Sequence, residues 1–395
     1  MFRNIFLTLL LFIIFNSCIS QQGNNEIIIP FESYEDWIFV KAKLNDSIKL
    51  DLMFDTGFNT TLLNSTRADK LNMIPDGKAE FFGAIGEDSL YYFVNNNLMI
   101  GKVKLDKLQF IKAPLEDMEL KFGKSIDGMV GYDFLKGRIV RLNFDKNCLE
   151  IFDKFEDIKT KPQNYFSITM RDNIPSINAI LWINKNDTVR GNFILDTGYN
   201  SSLVVGTPFV NKYNLLEKVK NTYKFNSVGI LTSDSRTFKA RIHKFSFCGY
   251  DFFNMPVTFS QATTGTLSES EYDGMIGTEV LKRFNIIFDY QNSRIYLEDN
   301  KSYKESYRVN CSGMEVKLSK NRKKVIIHDV YANSPASEAK LKKGDEIIKI
   351  EGKQAEKLKL TEIKKMLREK GHSIEITVRD SNETRTIQLK LRELI

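Results

Sequence analysis

The chain has 395 residues, room for two or three domains of ordinary size, and its 42% hydrophobic and 27% charged residues are the balance of a folded protein. Its formal charge of +7 comes from lysines spread along the whole length, and the densest run, Lys317 to Lys324, reads as a solvated hairpin tip, so no nucleic-acid partner is indicated. Beyond Cys18 the cysteines are Cys148, Cys248 and Cys311, and the histidines are His243, His328 and His372. They stand too far apart in sequence for a disulfide framework or a paired metal spacing. With no Walker loop, dinucleotide fingerprint or G-x-S-x-G elbow either, carboxylates are left as the natural chemical groups.

The first eighteen residues are a different material. Arg3 supplies a positive start, Ile5 to Phe15 is apolar apart from Thr8, and Asn16-Ser17-Cys18 follows. The apolar stretch is short for a membrane span and reads as a secretory signal. The small residue before Cys18 resembles the lipobox of bacterial lipoproteins. That resemblance implies acylation of Cys18, anchoring to a membrane, and an exported protein of the cell envelope.

From about residue 25 the chain repeats itself. Ile38 to Leu44 and Ile48 to Phe54 read as two strands that end in Asp55-Thr56-Gly57. Ile177 to Ile183 and Val189 to Leu195 end likewise in Asp196-Thr197-Gly198, with Asp196 lying 141 residues after Asp55. At nearly the same offset Asp127-Gly128-Met129-Val130-Gly131 is echoed by Asp273-Gly274-Met275-Ile276-Gly277, and Asn143-Phe144-Asp145 by Ile287-Phe288-Asp289. Ordered landmarks of this kind indicate a duplicated unit. Between them lie short alternating strands broken by Gly, Asn and Asp. The best helix candidates are Thr66 to Leu71 and Phe209 to Leu215. The expected architecture is mainly β: two pseudo-symmetric β-barrel lobes, residues 25–158 and 159–300.

After Asp299 the pattern changes, and residues 301–395 read as a small α+β domain. Val325 to Val330 is a strand, Ser334-Pro335-Ala336 opens a short helix, and Gly344-Asp345 turns into the strand ending at Ile350. Thr361 to Lys370 is an amphipathic helix with Ile363, Met366 and Leu367 on one face.

Two Asp-Thr-Gly copies related by a two-fold bring two carboxylates together if the lobes meet at those loops. Such a pair holds one proton over a broad pH range, because both groups cannot ionise cheaply side by side. The ionised member can take a proton from water while the protonated one donates to a peptide carbonyl. Thr56 and Thr197 are suited to cross-linking the loops by hydroxyl hydrogen bonds. Gly57 and Gly198 let the backbones approach and offer N–H groups to the carboxylates. This chemistry needs no metal or cofactor.

These residues resemble the retropepsin-like and pepsin-like aspartic peptidases, in which an apolar-apolar-Gly motif follows each Asp-Thr-Gly; Met129-Val130-Gly131 and Met275-Ile276-Gly277 fill that place. The resemblance covers about residues 25 to 300. It implies a fold of two β lobes with a substrate cleft between them, peptide or protein substrates, and catalysis by Asp55 and Asp196 within one monomeric chain. Two positions depart from the family pattern: Phe58 and Tyr199 stand where Ser or Ala is usual. Phe81 to Tyr92, with Gly83 and Gly86, is the best flap candidate, and Phe225 to Ile230 its counterpart. The C-terminal segment resembles PDZ domains of the bacterial envelope type, which implies a peptide or chain-end ligand held at Ser312-Gly313-Met314. The competing expectation is a non-catalytic envelope protein, in which the lobes only hold a peptide and the PDZ domain recruits a partner.

Overall fold

A computed structural model describes residues 26–395 apart from 160, 161, 163, 232, 233, 381 and 382. Cys18 and the leader lie outside the described residues. The protein is mainly β, with three sheets among the described residues.

Both copies of the repeat build the same strand order. In the first, the strand ending at the Asp-Thr-Gly loop, Ile48–Phe54, is followed across the sheet by Gly128–Val130, Thr61–Asn64, Val103–Ala113, Glu87–Ile100 and Gly77–Phe82. In the second, Thr188–Leu195 is followed by Gly274–Ile276, Leu203–Val205, Tyr250–Ser260, Asp234–Phe247 and Tyr223–Val228. A further pairing joins Trp37–Leu44 to Glu87–Ile100, and its equivalent joins Ile174–Trp182 to Asp234–Phe247.

The alternation read from sequence has a direct physical cause here. Along Trp37–Leu44 and Ile48–Phe54 one face sends Val40, Leu44, Leu52 and Phe54 into the common core, and the other sends Trp37, Phe39 and Met53 into a second cluster with Phe58 and Phe81. Fully burying one such side chain stabilises by about 1.5–3 kcal/mol. The copies also share a sheet. Ile139–Asn143 pairs antiparallel with Phe284–Asp289, Leu142 opposite Ile286 and Val140 opposite Phe288, and all four residues are buried. Hydrogen bonds between equivalent strands therefore hold the two halves in one fixed relation.

The C-terminal unit is an antiparallel sheet in the order Met314–Leu318, Val325–Val330, Glu346–Ile350, Ser373–Arg379 and Thr384–Lys390, with helix Leu360–Met366 beside it. Its separate core includes Met314, Ile327, Ile350, Ile363, Leu367 and Ile376. The predicted amphipathic helix is shorter than its pattern. It ends at Met366, but Ile363 and Leu367 do face the core, with Met366 packed partly against it.

Sequence periodicity missed helix Glu116–Phe122, whose consequences appear below. Its signals are local: Glu116 and Asp117 in the first turn, and Gly123 closing it in the left-handed region at φ 74. Only two turns long, it has too few apolar positions to register as periodic.

Candidate active site

The short strand Gly128–Val130 runs parallel to Ile48–Phe54 and antiparallel to Thr61–Asn64. The chain leaving Phe54 must therefore loop over it before returning. Asp55 sits at that departure, its N–H donating to the Val130 carbonyl at 3.0 Å; Asp196 donates likewise to Ile276 at 3.0 Å. A Cβ at Gly128 would enter the Leu62 carbonyl oxygen, and one at Gly274 that of Val204. The glycine that opens each apolar-apolar-Gly segment is thus required by backbone crossing beneath the carboxylates.

The structure brings all six predicted residues of the two triplets together. Asp55 and Asp196 are 7% and 8% exposed, open only to the cleft. A Cβ at Gly57 would stand 2.7 Å from Asp196 Cγ, and one at Gly198 would run into the Asp55 carboxylate. Only glycine lets the loops approach this closely. Thr56 Oγ1 donates to the Leu195 carbonyl at 2.6 Å and accepts from Thr197 N–H at 3.1 Å. Thr197 Oγ1 donates to the Phe54 carbonyl at 2.9 Å and accepts from Thr56 N–H at 2.9 Å. These four bonds are buried and reciprocal.

Electrostatics divides the pair. Gly57 N–H donates to Asp55 Oδ1 at 2.8 Å, whereas Asp196 Oδ1 accepts from both Gly198 N–H at 2.7 Å and Tyr199 N–H at 3.0 Å. Burial, the neighbouring Asp196 charge and a hydrogen bond to it push Asp55 well above the usual carboxylate range. Burial raises Asp196 too, but hydrogen bonds from Asp55, Gly198 and Tyr199 pull it back. Both carboxyls are raised and titrate as one coupled pair, with the larger upward push on Asp55.

The two unusual residues after the triplets have places. The Phe58 ring meets Phe81 edge-on at 5.9 Å under the first hairpin. Tyr199 hydrogen-bonds Thr258 Oγ1 through its hydroxyl at 3.1 Å, and burial pushes that hydroxyl up to about 12. Trp37 adds a cross-lobe bond, its indole N–H donating to the Gly198 carbonyl at 2.8 Å.

Both flap candidates are hairpins over the cleft, and each reaches into the opposite half. The first joins Gly77–Phe82 to Glu87–Ile100; its Ile85 is buried among Ile194, Val204, Leu267 and Met275 of the second half. Backbone bonds latch it there: Gly86 N–H to Thr264 O at 3.2 Å, Thr266 N–H to Gly83 O at 3.0 Å, and Leu267 N–H to Ala84 O at 3.0 Å. In return Ile230 and Leu231 pack on the cluster of Trp37, Phe58, Phe81 and Met129 in the first half.

The cleft below has a volume of about 860 Å³ and a third wall that the sequence did not announce. Glu315, Tyr331, Lys364 and Arg368 of the C-terminal unit line it together with residues of both halves. Helix Glu116–Phe122 carries that wall. Lys121 pairs with Glu315 at 3.3 Å, the Lys364 ammonium lies 4.7 Å from the Phe122 ring centre, and a Cβ at Gly123 would press on Leu360. Burial would push Glu315 up, but Lys121 and the Tyr331 hydroxyl outweigh it and hold the carboxyl at about 2. Tyr331 also stacks on Tyr223 of the second hairpin at 4.8 Å. Arg322, in the basic run read as a hairpin tip, lies in the turn between Met314–Leu318 and Val325–Val330 and hydrogen-bonds Ser125 at 2.9 Å.

Ser312 and Gly313 form the loop that leads into Met314, the first residue of the edge strand, and all three N–H groups already have acceptors. Asn310 Oδ1 accepts from Ser312 and Gly313 at 3.0 and 2.9 Å, and Ser312 Oγ from Met314 at 3.2 Å.

Residues 40–134 match the aspartyl protease family, a stretch that contains Asp55 and the Gly128–Val130 strand beneath it. Residues 304–379 match the PDZ domain. A probable CtpA-like serine protease of Staphylococcus haemolyticus is 25% identical over 133 residues, which is 33% of this chain and 25% of that protein. This chain therefore spans about a quarter of that relative's length. The protein carries an aspartyl-protease-like unit and a PDZ unit.

Proposed function

We propose that this protein is an aspartic endopeptidase whose dyad is Asp55 and Asp196. The observation that carries the reading is the buried, mutually hydrogen-bonded carboxylate pair, cross-linked by Thr56 and Thr197 on the floor of a cleft. In the proposed reaction Asp196, ionised, takes a proton from a water whose oxygen bonds the peptide carbonyl carbon. Asp55 gives its proton to the carbonyl oxygen, forming a neutral tetrahedral diol. In the collapse of the diol Asp196 gives the proton it took from water to the amide nitrogen while Asp55 takes one from a diol hydroxyl; the C–N bond breaks to leave a carboxylic acid and an amine, and the dyad regains its starting state. The latched hairpins must part for an extended chain to enter and then exclude water around it.

The serine chemistry in the relative's name stays with that relative. Among the described residues no histidine hydrogen-bonds a serine: His243 is exposed, His372 pairs with Glu369 at 3.6 Å, and His328 Nδ1 has no partner. A Ser–His pair is thus unsupported by the geometry; the serine–base contact that lines the cleft is Lys239 Nζ to Ser201 Oγ at 3.2 Å.

For the PDZ unit we propose a ligand-responsive wall. Met314–Leu318 is the edge strand where a peptide would pair, and helix Glu116–Phe122 now packs against it. A chain end seated there would displace this helix and the Asn310 side chain, loosening the cleft. Export and a lipid anchor on Cys18 belong to the same proposal and predict an acylated N-terminus by mass spectrometry of the membrane fraction.

The deciding experiment is cleavage of a peptide library from pH 3 to 8 by wild type, Asp55→Asn and Asp196→Asn. Cleavage by wild type alone supports the enzyme. Absence of cleavage throughout, or equal cleavage by the variants, sinks it and favours a peptide-holding protein.

A further inference from the structure

Five cationic side chains line the cleft, and four have carboxylate partners. Lys121 pairs with Glu315, Arg308 with Asp36, and Lys364 and Arg368 both with Glu35. The fifth, Lys239, has no carboxylate within ion-pair distance among the described residues. Its ammonium carries three donors and makes one hydrogen bond, to Ser201 Oγ at 3.2 Å. Burial lowers its pKa, with Glu279 and Glu315 opposing from a distance and Arg368 and Lys121 adding to the effect. Both of those carboxylates are engaged elsewhere: Glu279 accepts from Arg308 N–H at 2.8 Å, and Glu315 holds Tyr331 and Lys121.

Lys239 stands close to the dyad through a short relay. It faces Thr258 across the strand pair, Thr258 holds the Tyr199 hydroxyl, and Tyr199 N–H donates to Asp196. The duplication provides an internal control. In the first half the equivalent register position is Tyr92, opposite Ile111, where Lys239 is opposite Thr258; Ile111 and Thr258 pair in turn with Leu62 and Val204. One half has an aromatic–aliphatic wall at this point, and the other an unpaired ammonium flanked by hydroxyls. Lys239 is half-buried at the cleft and spends one of its three donors on Ser201, which leaves two free for an anionic group.

We propose that Lys239 and Ser201 form a carboxylate-binding subsite on the Asp196 side of the dyad, which selects substrates with an acidic group close to the scissile bond. The group is either an Asp or Glu side chain or the carboxylate of a chain end, and both meet Lys239 by the same charge-assisted hydrogen bonds. The inference rests on the peptidase reading for its consequence, not for the binding itself.

Two peptide pairs separate the possibilities: Glu against Gln scanned through the positions around the cleaved bond, and free acid against amide at the C-terminus. Wild type is expected to favour the carboxylate member of one pair by about tenfold in kcat/KM, a ratio that falls to about 1 in Lys239→Met and persists in Lys239→Arg. A Glu/Gln preference at an internal position identifies a side-chain subsite, and an acid/amide preference a chain-end subsite. Equal rates for both pairs in wild type, or a preference that survives in Lys239→Met, overturn the subsite while leaving the peptidase intact. Calorimetric titration of the same pairs into Asp55→Asn reads binding without turnover. Carboxylate preference there, with an inert wild type, supports the subsite and sinks the peptidase; no preference in either assay sinks the subsite.

Discussion

The two Asp-Thr-Gly loops are the same backbone device in different surroundings. Each leaves a strand of matched order, crosses over a glycine-led strand and locks its threonine into the other loop. The carboxylates nevertheless differ. Asp196 Oδ1 accepts N–H groups from both Gly198 and Tyr199, Asp55 Oδ1 accepts from Gly57, and the upward push is the larger on Asp55. The walls differ further, with Tyr92 in one half where Lys239 stands in the other. Duplication supplies two matched halves; small departures from equality give the two carboxylates different surroundings.

The most forceful way to break this comparison is to remove each carboxylate in turn. Asp55→Asn and Asp196→Asn should each lower kcat by about a thousandfold or more, and the double variant little further, since residues that act as a unit are not additive. Unequal losses of several orders of magnitude would show that one half works alone. Thr56→Val and Thr197→Val probe the cross-link. Each strands a buried N–H and a buried carbonyl, at about 1–3 kcal/mol apiece. The two variants should lower the urea midpoint by similar amounts, because the bonds are reciprocal.

A smaller effect is expected at the hairpin tips. Ile85 is 6% exposed in the opposite half, so Ile85→Ala should cost about 2 kcal/mol or more in that contact and raise KM. Ile230→Ala, at a partly buried site, should do less on both counts. A reversed order would mean that the second hairpin carries the closure.

The mildest prediction is in pH dependence. Asp55 is raised on folding, so the folded chain binds more protons than the unfolded one between the ordinary carboxylate pKa and the raised value. Stability from this site is full below about pH 4 and is lost as pH rises through the raised pKa. Asp55→Asn should therefore raise Tm at neutral pH by a few degrees, at roughly 2–4 °C per kcal/mol, with the gain vanishing at acidic pH. The activity profile of wild type should be bell-shaped, failing at low pH when both carboxylates protonate and at high pH when the shared proton leaves.

Much of the site was legible because its requirements are local and doubled. Asp, Thr and Gly at fixed offsets, followed by apolar-apolar-Gly, report a carboxylate, a cross-linking hydroxyl and two close backbone approaches without any knowledge of distant contacts. Lys239 was illegible for the opposite reason. A lysine on an alternating strand reads as solvent-facing, and only the tertiary fold sets it half-buried at the cleft, opposite Thr258 and bonded to Ser201. Helix Glu116–Phe122 was too short to show periodicity, and its role depends on Lys121 meeting Glu315 from nearly 200 residues away.

By itself, then, the sequence determined the duplicated β architecture, the meeting of Asp55 with Asp196 and the separate C-terminal unit, because strand alternation and backbone clearance are written in short stretches of chain. Tertiary structure alone decided that the two carboxylates meet different surroundings, that hairpin tips exchange between halves, that the PDZ unit lines the cleft, and that Lys239 has no counter-ion among the described residues. Those properties are set by desolvation and by charges brought together from distant segments, and neither exists until the chain has folded.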